Sequence, residues 1–127
     1  MNKVLLVEDD LLTARSIELI LREYGFEVIG TLKNADEIVE QVNKLKPDII
    51  LMDIILQGKI DGVTATEKLR EVVDIPVIFI TGSSDRPTLD RIKSVTNSDL
   101  LAKPFSTNNL LKKINNIFGN LLNDDES

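Results

Sequence analysis

DIILMDIILQGKIDG, residues 48–62, holds an apolar run that stops at a carboxylate, Asp53, shortly before a glycine-containing turn from Gly58 to Gly62. With Pro47 closing the other end, Asp48 to Met52 reads as a short strand buried on both faces, the pattern of a parallel sheet. An Asp where such a strand stops lies at the carboxyl edge of the sheet, where open α/β folds put their ligands. An isolated Asp there is far more often a turn or helix-capping residue. What the rest of the chain brings to the same edge decides between the two readings.

Outward from that stretch, strand-like and helix-like segments alternate. Lys3 to Val7 is a short β-branched and Leu run that stops at Glu8-Asp9-Asp10, with Asp10 placed to cap the helix that follows. Ile17, Ile20, Leu21 and Tyr24 then recur at helical spacing, and Gly25 is placed to end that helix. Phe26 to Thr31 reads as a second strand; Asn34 or Asp36 could cap a helix whose apolar positions are Ile38, Val39, Val42 and Leu45. Beyond Gly62, Val63 to Val73 forms a third helix with Val63, Leu69 and Val72 inward, and Ile75 to Thr81 a fourth strand. Pro87 suits the first position of a helix from Thr88 to about Val95, and Leu100 to Ala102 is a short fifth strand. The last helix shows the clearest stripe: Leu110, Ile114, Ile117, Phe118 and Leu121. Such alternation with short links predicts one α/β domain over residues 1–122, its parallel sheet covered on both faces, and a frayed acidic tail from Asn123 to Ser127. The pattern itself leaves the strand order open.

Composition narrows the chemistry. In 127 residues, 43% hydrophobic but only 4% aromatic, there is material for a single aliphatic core. The net charge of -6 and the absence of a basic stripe argue against nucleic acid as a partner. Without Cys or His the chain has no disulfide, thiolate or imidazole chemistry, and its carboxylates favour hard cations such as Mg²⁺, Ca²⁺ or Mn²⁺. The apolar run Val4 to Val7 is too short for a signal or a membrane span, so the expectation is a soluble cytoplasmic protein with no membrane partner.

In a parallel sheet the carboxyl ends of the strands share an edge, so Glu8, Asp9, Asp53, Thr81 and Lys103 can meet although they are far apart in sequence. Glu8 and Asp9 could simply favour a helix dipole, Thr81 could belong to a hydroxyl-rich turn, TGSSD at 81–85, and Lys103 could be solvated. Together they are chemically coherent. Three carboxylates attract a divalent cation, while a hydroxyl and an ammonium suit a phosphoryl oxygen.

These residues resemble the receiver domain of two-component response regulators over about residues 3 to 120. The motifs stand in order as VEDD at 7–10, LMDIILQGKIDG at 51–62, FITGSS at 79–84 and AKPF at 102–105. The resemblance implies a flavodoxin-like, doubly wound fold of five strands in the order 2-1-3-4-5 with five helices. It implies that Asp53 is the phosphoacceptor, that Thr81 is the switch hydroxyl and that Lys103 contacts the phosphoryl group. Glu8, Asp9, Asp53 and the backbone carbonyl of Ile55 would hold Mg²⁺ or Mn²⁺, and Lys103–Pro104 matches a bond that is cis in the family. A sensor histidine kinase or phosphotransfer protein is then the implied donor. With no DNA-binding or enzymatic effector after residue 122, the expected output is a contact with a downstream protein, unless the chain is a fragment of a longer regulator; homodimerisation through the fourth and last helices is left open.

Three features depart from the family pattern. Leu100 stands three before Lys103, where an aromatic is common; Ile55 and Ser83, two after Asp53 and Thr81, lie where family members vary and tune hydrolysis. Gly62 comes nine residues after Asp53, one more than in the commonest receivers, so the loop Gln57 to Asp61 is expected to bulge. Two enzyme or ligand readings compete less well. An aspartate-nucleophile phosphohydrolase would carry a second Asp at position 55, and a nucleotide or flavin module would have a Gly-rich turn where this chain has EDD. A receiver-like docking module that is never phosphorylated is the remaining alternative.

Overall fold

The computed structural model describes residues 2–56, 58–82 and 86–126, with side-chain surroundings through residue 119. Among them, strands and helices alternate as β1 (Lys3–Val7), α1 (Leu11–Glu23), β2 (Glu27–Leu32), α2 (Ile38–Leu45), β3 (Ile49–Asp53) and α3 (Gly62–Arg70), then β4 (Val77–Thr81), α4 (Arg86–Lys93), β5 (Ser98–Ala102) and α5 (Thr107–Glu126). All strand pairings are parallel, and the order is β2-β1-β3-β4-β5. The resemblance implied that order, and the chain follows it. Because β1 lies between β2 and β3, the connections leave it toward opposite sides of the sheet, which opens a crevice at the carboxyl ends of β1 and β3.

Strand alternation divides the core in two. Leu5, Val7, Ile50, Met52, Val77 and Phe79 face Ile38 and Val42 of α2, Val63 and Leu69 of α3, and Ile92 of α4. Val4, Leu6, Ile49, Leu51, Ile78 and Ile80 face Ile17 and Leu21 of α1 and Leu110, Ile114 and Phe118 of α5. β3 and β4 are buried along their whole length, which is why their sequences read as continuous apolar runs. Each such fully buried aliphatic side chain contributes about 1.5–3 kcal/mol of hydrophobic stabilisation.

Local boundaries depart from the sequence expectations for identifiable reasons. Asp10 caps α1 as expected, accepting from the Thr13 N–H at 3.1 Å. Tyr24, counted with the apolar stripe, lies past the last turn of α1 and is 54% exposed. Neither Asn34 nor Asp36 caps α2: Glu37 precedes it without a side-chain cap, because Asn34 accepts from the Asp36 N–H and Asp36 accepts from the Lys59 N–H. Val72 is exposed rather than inward, since α3 ends at Arg70 and the core contact passes to Val73. β4 pairs only from Val77 because Pro76 has no N–H to give; its carbonyl instead accepts from the Ile50 N–H at 3.0 Å. α5 continues to Glu126, so residues 123–126, expected as a frayed tail, are helical. Gln57, Ser83 and Ser127 lie outside the described residues, as do the side-chain surroundings of Leu121.

One buried acid ties α1 to β2. Glu18 is 5% exposed; its Oε1 accepts from the Thr31 hydroxyl at 2.6 Å, and its Oε2 faces Arg15 at 3.3 Å and Arg22 at 3.8 Å. The Thr31 bond first, and the two guanidinium groups next, hold its carboxyl below the ordinary value of 4.5, against the opposing effect of burial. A depressed folded-state pKa contributes stability that is present above the ordinary value and is lost as pH falls through the folded one. Thr31→Val is therefore expected to cost about 1–3 kcal/mol in urea unfolding at pH 7. That difference should narrow once the pH is taken below the carboxyl range.

Candidate functional site

The sheet order brings the ends of β1, β3, β4 and β5 to one edge. Val7 is opposite Met52, Asp53 is opposite Ile80, and Thr81 is opposite Ala102, so Glu8, Asp53, Thr81 and Lys103 follow one another across the sheet. Two backbone bonds fix the outer members: the Glu8 N–H donates to the Leu32 carbonyl at 2.9 Å and the Lys103 N–H to the Thr81 carbonyl at 2.8 Å. The Lys103–Pro104 peptide is cis, as the resemblance implied. Glu8, Asp53 and Thr81 are buried, while Asp9 and Lys103 are half-buried at the mouth.

A single ammonium serves two acids. Lys103 Nζ lies 3.2 Å from Glu8 Oε1 and 3.2 Å from Asp53 Oδ2. The remaining Asp53 oxygen, Oδ1, accepts from the Ile55 N–H at 3.2 Å. Among the described residues, Glu8 Oε2 is buried without a hydrogen-bond partner. Carboxylate oxygens of Glu8, Asp9 and Asp53 lie within 4.8 Å of one another. An orphaned oxygen inside a compact set of hard oxygen donors fits a hard divalent cation.

The electrostatics say the same. Burial, and then the neighbouring Asp53, push the Glu8 carboxyl up from 4.5 to about 7, although Lys103 opposes both. Burial alone would depress Lys103, but Asp53 and Glu8 outweigh it and its pKa is raised, so it keeps its proton. With every group ionised, three carboxylates face one ammonium and the pocket is short of positive charge.

All five residues singled out in the sequence are brought together here. Ile55 turns its backbone N–H to Asp53 and its side chain, 70% exposed, to solvent. Leu100 is half-buried and packs against the core with Ile92 and Val95. Gly62 is the residue whose role the sequence left unread. A Cβ there would overlap the backbone carbonyl oxygen of Asp53 and stand 2.7 Å from Met52 Cγ, so only glycine lets α3 start against the end of β3. In the same loop Gly58 has a φ of +112°, which favours glycine, and abuts Asn34 and Asp36.

Comparison with known proteins places these features in a family. The family described as "Response regulator receiver domain" matches residues 4–115. The chain is 30% identical over 113 residues to the transcriptional regulatory protein PdtaR of Mycobacterium tuberculosis, covering 89% of this chain and 55% of that protein. It is 33% identical to the response regulator protein GraR of Staphylococcus saprophyticus, covering 91% of this chain and 50% of the other. Among solved structures it resembles the signal receiver domain of a modulated diguanylate cyclase from Desulfovibrio desulfuricans, with 37% identity, a TM-score of 0.85 and coverage of 93% and 94%. The chain thus spans about half the length of these curated relatives.

Two outcomes follow from the geometry. Gly62→Ala should cost about 1–3 kcal/mol through overpacking against β3, read by urea unfolding. A raised folded-state pKa contributes stability that is complete below the ordinary value of 4.5 and is lost as pH rises through about 7. In metal-free buffer, unfolding free energy should therefore decline between about pH 4.5 and 7 and level off above that, and Glu8→Gln should remove most of that decline.

Proposed function

The chain belongs to the response regulator receiver domain family, and from that premise we propose that Asp53 accepts a phosphoryl group in a two-component relay and passes the signal on by a change of surface. The observation that carries this reading is the Lys103 ammonium held 3.2 Å from an Asp53 carboxylate whose other oxygen accepts from the Ile55 N–H. One Asp53 oxygen attacks the phosphorus of a partner's phosphohistidine or of a small phosphodonor. The new O–P bond forms as the donor's N–P or O–P bond breaks, and the imidazole or acid leaves with its electron pair. Lys103 remains beside the acceptor as a fixed cation for the transferring oxygens, and Thr81 brings its hydroxyl from the adjacent strand end. Glu8, Asp9, Asp53 and the Ile55 backbone carbonyl would hold Mg²⁺, or Mn²⁺, which when bound supplies the positive charge the pocket lacks.

Phosphorylation adds roughly -1.5 to -2 charge at the mouth of the pocket. Thr81, at the end of β4, and Lys103, just past β5, are the groups expected to answer it, and they adjoin α4, β5 and α5 in the chain. That is the face through which a downstream protein would read the state, and through which two copies would pair. A donor reaches Asp53 past an open groove of about 550 Å³ between α1 and the β5–α5 connection, where Leu12, Ile20 and Phe105 offer apolar surface next to Lys103. No helix among the described residues is long and apolar enough to cross a membrane, and a cytoplasmic site of action suits a kinase-linked relay.

A docking module that is never phosphorylated would have no need of the intact acidic pocket. A phosphohydrolase would need a carboxyl group where the exposed Ile55 side chain stands. The same apolar side chain cannot orient a water for attack on the acyl phosphate, so the phosphorylated state is expected to be long-lived.

Incubation with Mg²⁺ and acetyl phosphate should add one phosphoryl group by intact mass, and chelation of the metal or Asp53→Asn should abolish the gain. A gain that survives Asp53→Asn would overturn the assignment. Ile55→Asn should shorten the decay of the phosphorylated mass after the donor is removed; an equal or longer lifetime would show that residue 55 does not govern the water.

A further inference from the structure

Asp61 is held by more than the helix it caps. Its Oδ1 accepts from the Thr64 N–H at 2.8 Å, the ordinary N-cap bond of α3. It also meets Arg91 of α4 in a two-pronged contact: Nη1 donates to Oδ2 at 2.9 Å and Nη2 to Oδ1 at 3.2 Å, while Nη2 also donates to Thr64 Oγ1 at 3.0 Å. Burial works against the Asp61 carboxylate, but the bonds from Arg91 and Thr64 outweigh it and hold its pKa below the ordinary value. The pair is 42% and 36% exposed, a setting in which ion pairs contribute little unless their geometry is fork-on-carboxylate, as it is here.

What lies beyond Asp61 gives this contact its interest. The next residue, Gly62, donates its N–H to the Ile54 carbonyl at 3.1 Å, and the Ile55 N–H donates to Asp53 Oδ1 at 3.2 Å. A short series of bonds therefore leads from the Arg91 guanidinium to the acceptor carboxylate. On its other flank the same loop is fastened by the Lys59 N–H to Asp36 at 2.9 Å. Capping α3 needs only one Asp61 oxygen, so Arg91 is not required for the helix to start. Its effect is to fix where Asp61 sits relative to α4.

We propose that Arg91 is a positioning residue for the acceptor: by gripping Asp61 it steadies the turn that aims the Asp53 carboxylate and the Ile55 backbone, so that the seating of α4 sets how readily Asp53 takes a phosphoryl group. This rests on the reading of Asp53 as the phosphoacceptor. It makes α4 a partner in the geometry of the pocket through the contact of Arg91 with Asp61.

The test uses the full chain with Arg91→Gln, Arg91→Lys, Asp61→Asn and the double variant Arg91→Gln with Asp61→Asn. Asparagine caps a helix about as well as aspartate, so Asp61→Asn keeps α3 while weakening the grip. The initial rate of phosphoryl gain from acetyl phosphate, by intact mass at a temperature well below unfolding, should fall about two- to fivefold in Arg91→Gln and in Asp61→Asn. Arg91→Lys should recover part of the loss, and the double variant should be no slower than either single one. The amide resonances of Ile54 and Ile55 should shift in both single variants before any donor is added. Unchanged rates with only a lowered melting temperature, or losses that multiply in the double variant, would overturn the proposal. Should the wild-type chain itself gain no phosphoryl group, the phosphoacceptor reading fails instead, and unmoved Ile54 and Ile55 resonances in Arg91→Gln would still reject the role given to Arg91.

Discussion

One ammonium shared between two buried carboxylates is the constraint on which the site depends. Lys103 comes from the end of β5, Glu8 from β1 and Asp53 from β3, and Nζ stands 3.2 Å from an oxygen of each acid. Such an arrangement does not neutralise itself: Asp9 is beside it, and Glu8 Oε2 is buried without a partner among the described residues. A pocket kept short of positive charge fits a divalent cation, and the proposed phosphoryl transfer to Asp53 draws on that shortage.

The sheet makes the convergence unavoidable. Parallel strands put all carboxyl ends on one edge, and the position of β1 between β2 and β3 opens the crevice between Glu8 and Asp53. The second requirement is closeness. α3 begins directly against the end of β3, with Gly62 where any side chain would strike the Asp53 carbonyl. Asp53 is thus boxed by a strand, a helix start and a loop that is itself fastened to Asp36 and Arg91, which is how a short acidic side chain is kept at one orientation in a polar pocket.

Much of this was legible in the residues, and the rest was not for physical reasons. Runs such as Ile49 to Met52 and Val77 to Ile80 announce strands buried on both faces, and acids, a hydroxyl and a lysine at their ends announce the shared edge. Strand order is not encoded in any local pattern and came only from resemblance to a family. Misreadings fell where tertiary bonds compete with local preference. Asp36 looks like a cap for α2 but spends its carboxylate on the Lys59 N–H, and Val72 keeps helical spacing after the helix has ended. The grip of Arg91 on Asp61 joins residues thirty apart, on two helices, and no spacing rule reports it.

The charge shortage can be read directly as protons released on metal binding. Isothermal titration of Mg²⁺ into the metal-free chain at pH 6.5, repeated in buffers of different ionisation enthalpy, counts them. With the Glu8 carboxyl near 7, a substantial fraction of a proton should leave per Mg²⁺ bound at that pH, falling toward zero at pH 8.5 and in Glu8→Gln. Binding without proton release at pH 6.5, or release undiminished in Glu8→Gln, would contradict a pocket whose buried acid waits for a cation.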